Sequence, residues 1–374
     1  MVTSRVLSYA AAAGQVLRAH ARPLDSPLKL TFALTYWCQY RCKTCNIWQR
    51  KPVDELSTQE VFDFIDRNRQ ISWLDLTGGE IFLRKDIGEI LERLVVTWKR
   101  LVILHFPTNG FLTDAIARSA ARIAGKGTAQ IIVTVSVDGD EALNDELRGI
   151  KGGFRRQVET FRALRSIRGI RPVFGMTLSA GNAGRFEETF RACQRECPEL
   201  TIQEFHLNVA QISRHYYGND VNAGVVPDAA SARHDLHRYQ ELRGHPIGPG
   251  AWLEDQYLRH LDEYLSTGHT PMPCHSLRSS CFIDPWGTVY PCITYDRPVG
   301  SLRDTGMELA PIWAGSNARA RQTEIWNGDC PQCWTACEAY PSILGNLLRP
   351  VRWHAAPRAH RDANPEAPCT HEPT

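Results

Sequence analysis

Residues 38 to 45, Cys-Gln-Tyr-Arg-Cys-Lys-Thr-Cys, set three thiols, Cys38, Cys42 and Cys45, at C-x3-C-x2-C spacing. They follow an apolar, β-prone run, Leu28 to Tyr36, that reads as a short buried strand. A tight loop at the end of such a strand can aim three thiolates at one spot. Three thiolates serve three irons of a four-iron cubane, one protein sulfur to each, and leave the fourth iron open to a substrate or cosubstrate. Three unrelated core thiols, or part of a zinc site, would give the same spacing.

The elements that must hold this loop are legible on either side of it. From residue 28 to about 210, strands read at 28–35, 71–77, 101–106, 130–137, 171–179 and 201–209, with helices near 57–69, 86–98, 113–124, 156–167 and 184–196. Ser57 with Glu60 three residues on forms a capping box at the first of these helices. Strands alternating with helices imply parallel pairing through right-handed crossovers. Six such units fall short of a closed eight-stranded barrel. The fold class is therefore α/β, a partial (β/α)6 TIM-type barrel followed by a small cysteine-rich C-terminal domain, with its site at the strand C-terminal ends.

Those ends carry polar residues and glycines. The second strand finishes in Thr77-Gly78-Gly79-Glu80, where two glycines allow close backbone approach and Glu80 offers a rim carboxylate to an ammonium group. The third finishes near Asn109 and the sixth near Asn208. The fourth finishes at Ser136, able to donate to a carboxylate or a ribose hydroxyl; Arg148, soon after, can pair with a carboxylate. Taken singly, each is the residue type that merely makes a turn. Their sharing of one rim is the informative feature.

Composition narrows the class. The chain has 374 residues, 43% hydrophobic and 22% charged, with a formal net charge of +2. That balance gives no nucleic-acid signal. Twelve cysteines without a signal peptide, and no apolar stretch near the roughly 20 residues of a membrane span, suggest a cytoplasmic metal-binding protein rather than a disulfide framework. The divisions expected are a helical lead-in at 1–27, the barrel at 28–215, a helical bridge at 216–270, a cysteine-rich domain at 271–348 and a disordered tail at 349–374. In the lead-in, Val6, Ala10, Ala13 and Leu17 share one helical face, read as packing against the domain rather than as contact with a membrane surface. Cys193 and Cys197 read as ordinary buried thiols on a barrel helix, and Cys369 falls in the tail.

Cys38-x3-Cys42-x2-Cys45 after the first strand, with Gly78-Gly79-Glu80 after the second, resembles the radical S-adenosylmethionine superfamily over roughly residues 28 to 210. The resemblance implies that the three cysteines bind a [4Fe-4S] cluster whose open iron chelates the amino and carboxylate groups of S-adenosyl-L-methionine. It assigns Gly78, Gly79 and Glu80 to the methionine ammonium, and by position Ser136 and Arg148 to the ribose and carboxylate. Asn109 and Asn208 join the cofactor-binding rim. Thr44 and Ile81 depart from the family pattern, which usually has an aromatic residue and a proline there. The implied reaction is reductive cleavage to a 5′-deoxyadenosyl radical that abstracts hydrogen from substrate, with an electron donor such as flavodoxin or ferredoxin.

A second group of thiols, Cys274, Cys281, Cys292, Cys330, Cys333 and Cys337, includes a G-x4-C element on a predicted hairpin and a C-x2-C-x3-C run. Closely spaced thiols from two separate places suit a closed metal site. The stretch resembles the SPASM and twitch extensions of the same superfamily, which implies an auxiliary [4Fe-4S] cluster. Six thiols cannot fully ligate two cubanes. One auxiliary cluster is expected, held by Cys281, Cys292, Cys330 and Cys333 or Cys337; a structural zinc suits four thiolates equally. The substrate reads as a polar small molecule or a peptide, and the outcome as dehydrogenation, epimerisation or bond formation. An inactive iron–sulfur binding or regulatory protein is the alternative.

Overall fold

A computed structural model of the chain describes residues 2–222 and 224–347, with side chains from residue 10 onward apart from residue 20. The tail at 349–374, with Cys369, lies outside the described residues. Six strands, β1 (Lys29–Thr35), β2 (Trp73–Gly78), β3 (Ile103–Thr108), β4 (Gln130–Ser136), β5 (Ile170–Leu178) and β6 (Phe205–Val209), pair in parallel, each with the next. The helices before and between them are α1 (Val2–Ala21), α2 (Thr58–Arg67), α3 (Ile87–Thr97), α4 (Thr113–Ile123), α5 (Glu141–Arg148), α6 (Gly153–Arg165) and α7 (Phe186–Glu196). After β6 come α8 (Ala229–Arg243) and α9 (Pro249–Thr267), then the short strands β7 (Ser280–Ile283), β8 (Thr288–Tyr290) and β9 (Gly300–Ser301). Helices α10 (Leu309–Ala314), α11 (Ser316–Trp326) and α12 (Ala336–Asn346) follow.

The period-2 pleat separates two faces. Leu30, Phe32, Leu34, Leu74, Leu76, Leu104 and Phe106 enter one buried core with helix residues such as Phe64, Ile90 and Phe161. Burial of one such side chain contributes about 1.5–3 kcal/mol relative to exposure. The alternate positions face the barrel lumen and include the polar residues Lys29, Thr31, Asp75, Thr77 and His105. Lys29 Nζ lies 2.7 Å from Asp75 Oδ2. His105 lies 3.3 Å from Asp75 Oδ1, and its Nε2 is 2.9 Å from Thr134 Oγ1. A lumen with these groups is built for a polar occupant.

The cysteine-rich region continues the barrel sheet. β7 pairs in parallel with β1, and β8 and β9 add antiparallel, so the described strands form one nine-stranded sheet in the order β6-β5-β4-β3-β2-β1-β7-β8-β9. The side left open between β6 and the β7–β9 end of the sheet is crossed by side chains of α9 and α12. His206 of β6 lies 2.9 Å from Glu254 of α9, Tyr340 of α12 donates to Glu254 at 2.5 Å, and Tyr340 stacks on Trp73 of β2 with centroids 5.9 Å apart.

Two expectations change. The alternation does not foresee α5. It is an eight-residue helix closed by Asp140, whose carboxylate accepts the Leu143 N–H at 3.0 Å, and by left-handed Gly149 (φ 64°). In α1 the buried side chains are Val16 and Ala19, whereas Ala10 and Ala13 are exposed and Leu17 is half-buried. The contact with α12 and with Arg278, which donates to Ala19 O at 2.9 Å, sets that face rather than the alanine stripe. Ser57 and Glu60 form the capping box of α2. Among the described residues no helix is long and apolar enough to cross a membrane.

Candidate active site and auxiliary metal centre

The loop after β1 is held in place by the loop after β2. Gly79 N–H donates to Thr35 O at 2.7 Å and Glu80 N–H to Trp37 O at 2.8 Å. This approach needs glycine: Gly78 has φ 137°, and a Cβ on Gly79 would lie 2.1 Å from Trp37 O. Cys38, Cys42 and Cys45, all partly buried, lie within electrostatic reach of one another on the loop so fixed. Cys42 Sγ lies 3.9 Å from Arg148 O, and Asn109 Nδ2 lies 3.8 Å from Cys38 Sγ.

Burial, joined by the neighbouring thiols, pushes Cys38 up to about 11 and Cys45 up to about 12. Burial raises Cys42 as well. Three bare thiolates are therefore opposed here. A cationic cluster removes that opposition, because ligation deprotonates a thiol. The donor set fits an iron–sulfur cluster on that ground.

Glu80, read from the motif as a rim carboxylate, is fully buried. Its Oε2 accepts from Asn109 N–H at 2.7 Å and Thr108 Oγ1–H at 2.9 Å, and its Oε1 from Phe82 N–H at 3.2 Å. Burial nevertheless pushes the carboxyl up to about 7 against these donors. Its immediate work is to tie β2 to the end of β3, and so to orient Asn109 toward Cys38.

Arg148, presented by α5, pairs with Asp138 at 2.6 Å and sits over the Tyr40 ring at 5.2 Å. Burial acts against its charge, but Cys42, Asp138 and Tyr40 outweigh it and hold the guanidinium protonated. Arg148 Nε and Tyr40 Oη are buried without a partner. Orphaned polar atoms beside Cys42 suit a ligand bearing a carboxylate and hydroxyls, as S-adenosylmethionine does. Ser136 is half-buried on the lumen face of β4. Asn208 lies near the C-terminal end of β6, where Tyr257 donates to its Oδ1 at 3.1 Å and His206 Nε2 lies 3.1 Å from the same atom.

Sequence reasoning missed the clamp on the cysteine loop. Asn46 N–H donates to Tyr217 O at 2.8 Å, and Asn46 Nδ2 to Gly218 O at 2.9 Å. Asn219 donates to Thr44 O at 2.9 Å and Asn222 to Lys43 O at 3.1 Å. An Asn-rich run, Gly218-Asn219-Asp220-Val221-Asn222, was the only signal, and it reads as an ordinary turn. Tyr216 Oη lies 2.5 Å from Thr77 Oγ1, and His215 stacks on Tyr290 at 4.4 Å. The segment after β6 thus joins the thiol loop to the C-terminal hairpin.

The second thiol group divides. Cys274, Cys292, Cys330 and Cys333 line one small cavity. Cys292 follows the β7–β8 hairpin, whose turn carries Gly287 at φ 84°. Gln332, at φ 58°, turns the chain between Cys330 and Cys333. Thr294 Oγ1 lies 3.2 Å from Cys292 Sγ and 3.5 Å from Cys333 Sγ; Ser276 N–H donates to Cys274 Sγ at 3.5 Å. The thiol contact with Cys333, then burial, holds Cys292 well above its usual pKa, and burial does the same to Cys274. Among the described residues, no group of three or more His, Cys, Asp or Glu is arranged to hold a single metal ion. Four thiols around one cavity are a donor set that a cubane or a tetrahedral ion can take.

Cys281 and Cys337 lie elsewhere. Register places Cys281 opposite Leu30, so the pleat turns it into the apolar core. Cys337, at the start of α12, neighbours Thr31, Lys29 and Asp75 of the lumen. Of the expected ligands Cys281, Cys292, Cys330 and Cys333 or Cys337, the structure groups Cys292, Cys330 and Cys333 with Cys274, turns Cys281 into the core and sets Cys337 apart. Cys193 and Cys197 are buried in the core.

Comparison with known proteins agrees with both regions. Residues 32–193 match the radical SAM superfamily model, and residues 274–347 match that of the SPASM iron-sulfur cluster-binding domain. Mycofactocin maturase MftC of Mycobacterium tuberculosis H37Rv is 27% identical over 74% of this chain, which spans 67% of that protein's length. An AdoMet-dependent heme synthase of Oleidesulfovibrio alaskensis is 24% identical over 92% of this chain and 87% of its own. The fold is similar to that of Streptococcus suis SuiB in its structure with the precursor peptide SuiA, at 16% identity and a TM-score of 0.58, covering 81% of this chain and 68% of that one. With its thiol loop pinned at the barrel rim and its second thiol set around a cavity beyond β1, the chain carries a radical SAM superfamily domain over residues 32–193 and a C-terminal SPASM domain over residues 274–347.

Proposed function

We propose that this chain abstracts a hydrogen atom from a peptide held in the polar lumen. The observation that carries this reading is the loop bearing Cys38, Cys42 and Cys45, locked to Gly78-Gly79-Glu80 at the rim of a lumen lined by Lys29, Asp75, His105 and His206. When bound, the cluster and S-adenosylmethionine supply a 5′-deoxyadenosyl radical for that abstraction.

The chain's own residues do the rest. Cys38, Cys42 and Cys45 hold three irons. Gly78 and Gly79 present backbone to the methionine ammonium, with Glu80 fixing the loop and Asn109 behind it. Arg148 Nε and Ser136 face the carboxylate and ribose. Asn208 stands toward the substrate. Cys274, Cys292, Cys330 and Cys333 hold the auxiliary cluster. A low-potential donor of the flavodoxin or ferredoxin type delivers the electron. The peptide assignment is supported by similarity to a mycofactocin maturase and to SuiB with its precursor peptide. The fuller two-way coverage by the AdoMet-dependent heme synthase supports a second reading, a tetrapyrrole substrate.

The test is anaerobic turnover of the iron-loaded protein with S-adenosylmethionine and dithionite. Release of 5′-deoxyadenosine is expected, raised by a precursor peptide encoded beside the gene, which emerges with altered mass. No 5′-deoxyadenosine from fully loaded protein contradicts the reading, and stimulation by a tetrapyrrole but by no peptide selects the second.

A further inference from the structure

Cys337 is a thiol left over. It does not line the cavity of Cys274, Cys292, Cys330 and Cys333, and it is not turned into the core as Cys281 is. It groups instead with Cys38, Cys45 and Tyr217 around Tyr36, Tyr216 and Phe282, and it is only partly buried. Tyr216 and Tyr217 lie within electrostatic reach of both Cys45 and Cys337, so this thiol faces the same interior as the open cluster. Thr31, 2% exposed, has no oxygen or nitrogen partner for its Oγ1 and lies beside the Cys337 sulfur. The backbone here is fixed from below, since Lys29 Nζ donates to Cys337 O while pairing with Asp75. Three residues on, Tyr340 is held by Glu254 and stacked on Trp73. A free thiol on a rigid helix start, beside the buried Thr31 hydroxyl in a polar lumen, is placed to meet whatever occupies that lumen.

Resting on the radical reading above, we propose that Cys337 is the hydrogen-atom donor that quenches a carbon-centred radical in the lumen. Its S–H bond breaks as a C–H bond forms on the radical carbon, which leaves a thiyl radical on Cys337. One electron from a low-potential reductant of the ferredoxin class, or from dithionite in vitro, and one proton from solvent restore the thiol. A site with such a donor returns hydrogen to carbon, which makes the net outcome a redox-neutral inversion of a stereocentre instead of an oxidation.

Two measurements on the full-length, iron-loaded protein test this. In the first, iodoacetamide is applied with the clusters intact and the cysteines are read by peptide mass spectrometry. Cys337 is alkylated, whereas Cys274, Cys292, Cys330 and Cys333 are protected, and Cys337→Ser retains the wild-type iron content. In the second, S-adenosylmethionine is the probe: with dithionite in D2O and no substrate, the lumen thiol carries deuterium and passes it to the 5′-deoxyadenosyl radical. The 5′-deoxyadenosine is monodeuterated in the wild type, and that fraction falls severalfold in Cys337→Ser. Protection of Cys337 along with the other four, loss of iron in Cys337→Ser, or equal deuteration of the two proteins overturns the donor assignment and leaves the radical reading intact. Absence of 5′-deoxyadenosine from loaded wild type overturns the radical reading, and this assignment with it.

Discussion

A buried carboxyl that accepts three donors does two jobs at once, and Glu80 is such a group. Removing it leaves the Asn109 and Phe82 N–H groups and the Thr108 hydroxyl without their acceptor. Glu80→Ala is therefore expected to lower stability by about 1–3 kcal/mol in denaturant unfolding, as well as to weaken S-adenosylmethionine binding by calorimetry. Weaker binding with unchanged stability would return Glu80 to the role of a simple rim ligand. Gly79 is constrained differently: Gly79→Ala brings Cβ onto Trp37 O, so the thiol loop must move away. Iron bound at Cys38, Cys42 and Cys45 is expected to fall while auxiliary iron stays, measured by iron analysis and electron paramagnetic resonance. The residue types of this site were legible from the motif, because glycine and thiol requirements are local. The burial of Glu80 was not, since Thr108 and Asn109 arrive from a strand almost thirty residues away.

At the scale of elements, the closure of the barrel's open side depends on an ion pair, His206 of β6 with Glu254 of α9. Burial disfavours both charges, yet His206 holds Glu254 down to about 2, and Glu254 holds His206 above its ordinary 6.5. The depressed carboxylate contributes stability above its unfolded pKa of 4.5, and that contribution is lost as pH falls toward 2. The raised histidine contributes fully below 6.5, and its part is lost as pH climbs through the elevated folded value. The pair therefore supports the fold most between about 4.5 and 6.5. The melting temperature is expected to fall between pH 6 and pH 9 more steeply in the wild type than in His206→Gln; parallel pH profiles would show that the pair is idle. Alternating strands and helices were readable because period 2 and period 3.6 are set by short-range burial. The pairing of β7 with β1 and the seating of α12 across the lumen were not, because the first joins segments about 250 residues apart and the second segments 308 residues apart.

At the scale of the whole molecule, one sheet carries two thiol sets, the first at the rim after β1 and the second beyond the β7–β8 hairpin. The cysteine spacing announced both sites, but it could not sort the six C-terminal thiols, because strand pleat and helix placement decide which of them reach the cavity. Anaerobically reconstituted protein is expected to carry about eight irons, four per cubane. Losing Cys330 and Cys333 together should remove about half of that iron, and the segments they tie to Cys274 and Cys292 should become sensitive to protease, since the metal closes a long loop. Four irons with one zinc in the wild type would make the second site structural. Cys38, Cys42 and Cys45 alone should form the cleavage site. Replacing all three with Ala and measuring 5′-deoxyadenosine and iron in the same reconstituted sample decides this. No 5′-deoxyadenosine is expected, with about half of the wild-type iron retained, one cubane of two; 5′-deoxyadenosine from the triple variant would place the cleavage site elsewhere.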